Sequence, residues 1–317
     1  MFVDKTYFNL WKKAVCDKVK ENINLPDLSD DKILNNYITY IRKCMFFRAK
    51  IEESKEIKEE ISHLSDLSTV TVYEEIKRRL KHGEGVAPYL SKRAKALKPD
   101  YLFLDWNILH LHLGNLRKGN EYANRTNETL HLFLPPKSKK VYFIKIGHHF
   151  KDSEPDPYVD KNELRIIYTN WEKLLDKYEI HNFVPTCDVS DEERKKYREN
   201  GIMVFTDFKD QKGKKHVVMP ASYSTGKTSD YVQEIVDLRI PNFINSIIDY
   251  VKHNINRSEL ISKGSFYYCP DKNKFYFGII KNTKFNPYIF YFSSIDFWQS
   301  ILEINNTKFD LKINKRL

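Results

Sequence analysis

The chain is poor in cysteine, has no long apolar segment and shows no acidic excess, and each shortage excludes a class of protein. Its four cysteines are far apart and form no C-x-x-C pair, which argues against a disulfide framework or a cysteine zinc site. No apolar run reaches the ~18 residues that a membrane span requires. Charges interrupt residues 1–20 too often for a signal peptide. We therefore expect a cytoplasmic protein that does not use a membrane.

Basic residues outnumber acidic ones, with 53 Lys and Arg against 43 Asp and Glu, which gives a formal net charge of +10. Such a balance favours an anionic partner, most often nucleic acid. The alternative is that a Lys-, Asn-, Ile- and Tyr-rich composition reflects an AT-rich genome. Charge alone does not choose between the two explanations.

The spacing of apolar residues predicts an α+β fold, and the length of 317 residues favours two domains or one large domain with appendages. Helical periodicity predicts one long helix over 32–62, and aromatic strands are concentrated near the C-terminus. These aromatic residues could stack bases or form the core of a small sheet. The predicted parts are a helical N-terminal region with a basic segment (1–99), an α/β core with an antiparallel β-meander (100–257), and a small β-rich module (258–317).

Five of the ten histidines lie between residues 105 and 150; they are His110, His112, His131, His148 and His149. His110 and His112 alternate with leucines, so a β-strand here places both imidazoles on one face. Two further apolar runs, 129–134 and 141–146, follow with short polar links. The three runs predict a meander whose histidines surround one site.

Two histidines and a basic residue can cleave RNA without a metal or other cofactor. Cleavage through the 2′-hydroxyl of RNA needs a base for that proton, an acid for the leaving 5′-oxygen and a cation for the phosphate charge. The predicted catalytic residues are His110, His112, Arg125, His149 and Asp105. One strand histidine would pair with His148 or His149, Arg125 would bind the phosphate, and Asp105 would orient an imidazole or cap the strand.

Three alternatives remain open for the same residues. A strand His-x-His with a third histidine can hold a divalent metal. Asp105 and Asp152 would then be the nearest acidic ligands, because no carboxylate follows His112 before Glu121. The site could also belong to a protein that binds nucleic acid without cleaving it. Finally, the histidines could be structural and form hydrogen bonds only.

Basic residues between 74 and 99 precede the first histidine strand. A solvated helix face is the commoner explanation for such a run, and contact with a phosphate backbone is the alternative. The predicted nucleic-acid-binding residues are Arg78, Arg79, Lys92, Arg93 and Lys145.

A series of short motifs in residues 84–170 resembles an uncharacterised bacterial family found near phage-defence and mobile-element genes. In order, the motifs are Tyr89-Leu90-Ser91-Lys92-Arg93, Asp105-Trp106, His110-Leu111-His112-Leu113, Arg125-Thr126 with Leu130, Ile146-Gly147-x-His149, Ile166-Ile167 and Asn170-Trp171. The resemblance covers under a third of the chain and favours His149 over His148.

The order of helix, antiparallel strands, His, Arg and His is also similar to toxin ribonucleases of the RelE-like and barnase–colicin types. Together the two resemblances imply a toxin-like or antiviral endoribonuclease that arrests growth in abortive infection. We expect RNA or another nucleic acid as the partner, and an inhibitory or activating protein as a further partner.

Overall fold

The computed structural model describes most of the chain; the described residues are 6–23, 28–98, 100–148, 161–183, 189–202, 204–220, 230–254, 264–269, 274–281, 284–302 and 312–314. The helices are α1 (Thr6–Asn22), α2 (Asp30–Cys44), α3 (Lys55–His63), α4 (Leu67–His82), α5 (Lys92–Lys95), α6 (Tyr101–Trp106), α7 (Lys161–Trp171), α8 (Asp191–Glu199), α9 (Asp230–Glu234), α10 (Ile240–Asn254) and α11 (Ser294–Ile301). The strands are β1 (Lys50–Glu53), β2 (Ile108–His112), β3 (Glu128–Phe133), β4 (Lys140–His148), β5 (Thr206–Lys209), β6 (Lys215–Val218), β7 (Gly264–Cys269), β8 (Lys274–Lys281), β9 (Lys284–Ser293) and β10 (Lys312–Asn314).

These elements form an α+β fold, as the sequence predicts, and they group into two compact units. One unit comprises residues 1–41, 95–97 and 231–317, and the other comprises 42–94 and 98–230. The three consecutive parts expected from the sequence remain a prediction. No helix among the described residues has both the length and the apolar character needed to span a membrane.

A four-stranded mixed sheet with the order β1-β4-β3-β2 organises the unit of residues 42–94 and 98–230. β2, β3 and β4 form the predicted antiparallel meander. β1 adds a parallel strand along the outer edge of β4, with Ile51 opposite Val141. Beyond β1, Glu60 of α3 accepts a hydrogen bond from Ile146 N at 2.6 Å, so a side chain continues the pairing along that edge.

The predicted single helix over 32–62 is wrong, because the chain turns twice within it. α2 ends at Cys44, and Met45 adopts a positive φ of 49° that stops the helix. The chain then forms β1, and Ser54 starts α3 as its N-cap, accepting a hydrogen bond from Ile57 N. The charged residues after Arg48 fit a helical pattern locally, but pairing with β4 places the first of them in a strand.

The two faces of the mixed sheet are covered by different helices. One face buries Leu109, Leu111, Leu130 and Leu132 together with Phe143, whose ring lies 5.6 Å from that of Tyr73 in α4. The other face is apolar at one end only, where Ile108, Phe133, Tyr142 and Ile144 pack against Leu164 and Ile167 of α7. At its other end this face carries the histidines of the meander.

A short hairpin of β5 and β6 packs on the far side of α7. Phe208 and His216 are paired across the hairpin and face inward, where the His216 ring lies 4.2 Å from that of Tyr168. Glu179 and Asp210 each place a carboxylate oxygen on a ring nitrogen of His216, at 2.8 and 3.3 Å. The buried histidine therefore anchors the turn of the hairpin.

The other unit contains the antiparallel sheet β10-β9-β8-β7 and its helices. Trp11 of α1 is fully buried, with ring centroids of Phe275 and Phe297 at 5.9 and 5.4 Å. These two C-terminal aromatic residues therefore pack in a core, which was the alternative to base stacking. A π-helical turn, Ile235–Arg239, lies directly before α10, whose second residue is Pro241. Proline cannot donate a helical hydrogen bond, which fits a change of helix type at this point.

Candidate functional site

Three polar side chains cross the mixed sheet in one row. His110 of β2 is paired with His131 of β3, and His131 is paired with Lys145 of β4. Directly paired residues point to the same face, and neighbouring strands lie ~4.8 Å apart. The two imidazole centroids are 6.0 Å apart. We call His110, His131 and Lys145 the histidine row.

His131 is held by polar groups on both ring nitrogens. Its Nδ1 contacts the Oε1 atom of Glu163, in the first turn of α7, and its Nε2 lies 3.0 Å from the hydroxyl of Thr129. A carboxylate can only accept, so Nδ1 donates, and in the neutral ring Nε2 is left as an acceptor. Carboxylate, imidazole and hydroxyl thus form an ordered chain.

Glu163 supports His131 from an almost dry position, with only 1% of the residue exposed. Its second oxygen, Oε2, is buried and has no hydrogen-bond partner among the described residues. A buried carboxylate that makes an incomplete set of hydrogen bonds lowers the stability of the fold. Glu163 is therefore a residue that packing of the core does not explain.

His110 lies near a second carboxylate. Asp100, the N-cap of α6, forms an ion pair with Lys43 at 2.7 Å. Burial opposes ionisation of Asp100, but Lys43 and His110 act against it and together hold the pKa of Asp100 below its usual value. The two histidines thus have different electrostatic surroundings.

His112 and Arg125 occupy the end of the same sheet. His112 faces the same side as His110 and is paired with Thr129, but it is only 6% exposed. Arg125 is exposed and precedes β3. The Arg125 segment is bound to the residues that follow β2 by hydrogen bonds from Leu113 N to Thr126 Oγ1 and from Asn124 N to Asn115 O. Arg125 therefore lies at the rim of the histidine face.

Replacing Gly147 with Ala is expected to displace the His131 ring. Gly147 is paired with Thr129, and a Cβ there would lie 2.4 Å from His131 Nε2 and 2.8 Å from its Cδ2. A displacement of about 1 Å can lower a catalytic rate about 10²-fold. We expect a loss of that order in any activity that depends on His131, measured as an initial rate beside a thermal unfolding curve.

A double-mutant cycle separates this effect from a general loss of stability. If Gly147→Ala acts through the His131 ring, it should change the residual rate of a His131→Asn variant little. Equal rate losses in both backgrounds would contradict the assignment.

Asp105, predicted to orient an imidazole, is placed elsewhere. It belongs to α6, and Asn107 ends that helix with a φ of 55° before β2 begins. Asp105 is fully buried, and its two oxygens accept from Arg198 Nε and Nη2 of α8 at 2.8 and 3.1 Å. The five-residue separation from His110 therefore contains a change of chain direction, and Asp105 holds α8 instead.

The predicted nucleic-acid-binding residues fall into two groups. Arg78 forms ion pairs with Glu75 and Glu84, and Arg79 donates to the backbone oxygen of Gly85. Both arginines thus contact groups at the end of α4 and in the turn after it, which fits the explanation of a solvated helix face. Lys92 and Arg93 are exposed in α5, and Lys145 belongs to the histidine row.

The remaining predicted residues are His148, His149 and Asp152, which the sequence offered for catalysis or for a metal site. His148 is exposed at the end of β4, whereas His149 and Asp152 lie outside the described residues. Among the residues that the structure describes, no group of three or more His, Cys, Asp or Glu side chains is placed to hold a metal ion.

His131 belongs to the histidine stretch of the sequence, but it is not among the predicted site residues, and neither are Glu163 and Gly147, which contact its ring or lie against it. The available signal was the alternation of residues 129, 131 and 133, which places His131 on one face of its strand. Comparison of the chain with protein-family models, with curated proteins and with solved structures finds no match.

Proposed function

We propose that this protein is an endoribonuclease that cleaves RNA through the 2′-hydroxyl by acid–base catalysis from the histidine row. The observation that carries the proposal is the His110–His131 pair, two imidazoles 6.0 Å apart on one sheet face with a different carboxylate near each. Two imidazoles at this separation can reach the two ester oxygens of one phosphate.

His131 is the general base in this proposal. Glu163 holds its Nδ1, so Nε2 is the atom that accepts a proton. The hydroxyl oxygen of Thr129 lies 3.0 Å from His131 Nε2. In the complex the 2′-hydroxyl of the substrate would take the place of this hydroxyl. Glu163 acts as a positioning residue, which fixes the tautomer and stabilises the imidazolium that forms.

His110 is the general acid in this proposal, because it is paired with His131 in the row and His131 has the role of base. It would give its proton to the 5′-oxygen as the bond to phosphorus breaks, while the 2′-oxygen forms the cyclic phosphate. Lys145, beside His131 in the row, would stabilise the negative charge on the phosphate, and Arg125 at the rim would hold the neighbouring chain. His112 is buried and has no direct part in proton transfer in this proposal.

The proposal is tested by incubating purified protein with total cellular RNA in excess EDTA. The wild type should produce fragments, and a His110→Ala/His131→Ala variant should not. A His63→Ala/His181→Ala variant is the matched control, because both residues are exposed and outside the sheet. If the wild type cleaves RNA without EDTA but not in excess EDTA, the alternative of a metal-dependent hydrolase is favoured. RNA binding without cleavage by the wild type would favour the non-catalytic binding protein of a phage-defence system.

A further inference from the structure

The β5–β6 hairpin carries a concentration of lysines that its own carboxylates do not neutralise. Lys209, Lys212, Lys214 and Lys215 are all exposed within one seven-residue stretch. We call this hairpin, residues 206–218, the lysine ribbon. Asp210 is committed to the inside of the ribbon, where it accepts from the backbone nitrogens of Lys212 and Lys214 and contacts His216.

The second carboxylate of the ribbon, Asp207, is surrounded by cations. Lys161 and Lys215 each lie 2.9 Å from it, and Arg194 lies at 3.7 Å. Although burial opposes ionisation, the hydrogen bonds from Lys215 and Lys161 lower the pKa of Asp207 to about 2. Three cations thus share one carboxylate. In the part of the chain that the structure describes, Lys209, Lys212 and Lys214 form no ion pair.

Strand register brings two of these lysines directly together. Lys209 is paired with Lys215 at the end of the ladder, so the exposed Lys209 lies opposite a lysine whose carboxylate partner, Asp207, is already shared by three cations. Like charges in directly opposed positions destabilise a hairpin. His216, bound between Glu179 and Asp210, holds the turn in place despite this repulsion. The repulsion would be relieved by a bound polyanion.

The ribbon and the histidine row meet at the same helix end. In the first turn of α7, Lys161 reaches Asp207 of the ribbon and Glu163 reaches His131 of the row. We propose that the lysine ribbon binds the phosphate backbone of single-stranded RNA next to the nucleotide that the histidine row cleaves. This rests on RNA as the substrate class of the proposed function, but it concerns binding, which is measured separately from cleavage.

The probe is a labelled 2′-O-methyl oligouridine, which cannot be cleaved through the 2′-position. A Lys209→Gln/Lys212→Gln/Lys214→Gln variant of the full chain is compared with the wild type over a range of salt concentrations. For single strands each phosphate contact adds ~0.7 to the slope of log K against log salt, so loss of three contacts should make the slope shallower by about 2 and weaken binding by about tenfold or more. Because the three lysines are exposed, their replacement should leave the hairpin core unchanged, and a thermal unfolding curve verifies this.

The matched control is Lys137→Gln/Lys139→Gln/Lys140→Gln, which removes the same charge from exposed residues in the turn before β4 and at its first position. The control should keep the wild-type slope, and His131→Asn should bind the probe normally although it does not cleave. An equal loss in the ribbon variant and the control would overturn the proposal, as would binding to phosphatidylserine vesicles with none to the oligouridine. If the wild type does not cleave RNA but only the ribbon variant loses binding of the probe, RNA binding by the ribbon is supported and the proposed ribonuclease activity is not.

Discussion

Replacing His131 with Asn should lower the rate of RNA cleavage about 10²–10⁴-fold, the contribution expected of one general acid or base. Asn cannot take up a proton, and it cannot join the Glu163 carboxylate to the Thr129 hydroxyl as the imidazole does. Binding of a non-cleavable RNA should stay close to that of the wild type. Single-turnover cleavage with enzyme in excess measures the chemical step directly.

Two variants sharpen this result. Glu163→Gln keeps the size of the side chain, and it should lower the same rate less than His131→Asn while leaving RNA affinity unchanged. His112→Gln should lower stability more than it lowers the rate, because His112 is buried beside Thr129. A rate loss confined to His112→Gln would instead restore the assignment made from the sequence and contradict the role of His131.

Replacing Asp105 with Ala should lower the free energy of unfolding by about 3–5 kcal/mol, because it removes one partner of a buried ion pair and leaves the opposite charge without that partner. That charge belongs to Arg198, which is 3% exposed and stacks over the ring of Tyr101 at 4.5 Å. The contact ties α8 to α6, directly before the first histidine strand. Urea unfolding followed by circular dichroism measures the change.

A surface ion pair provides the matched comparison for Asp105. Glu75 pairs with Arg78 at 2.7 Å, but both side chains are substantially exposed. Such pairs contribute about 0–1 kcal/mol, so Glu75→Ala should change stability little. If Asp105→Ala were as stable as the wild type and had lost cleavage, Asp105 would have the catalytic role that its position before the histidines suggested.

Local patterns were sufficient to predict the meander. Alternation of histidine with leucine places His110 and His112 on one face, and the apolar runs at β3 and β4 give the two following strands. β1 could not be found this way, because its stability comes from pairing with β4, about ninety residues later by the register of Lys50 with Lys140. Charged residues within it fit a helix equally well.

The composition of the site depends on register, which alternation does not determine. A shift between His131 and Leu132 makes Ile144 an extra residue in β4, and this brings Lys145 opposite His131. The length and fastening of the segment between β2 and β3 decide that His110 meets His131. Glu163 belongs to a helix and lies 32 positions after His131 in the sequence. Side chains supplied by different elements in this way leave no spacing signal in the sequence.

The most direct test of the histidine row uses a DNA oligonucleotide that contains a single ribonucleotide, incubated with the protein in excess EDTA. Only one position in this substrate has a 2′-hydroxyl, so the proposed mechanism predicts one cut, on the 3′ side of that nucleotide, ending in a 2′,3′-cyclic phosphate. The His110→Ala/His131→Ala variant should leave the oligonucleotide intact. Cuts at deoxynucleotides, or an upstream fragment that ends in a 3′-hydroxyl at the cut made by the wild type, would contradict acid–base cleavage by His131 and His110.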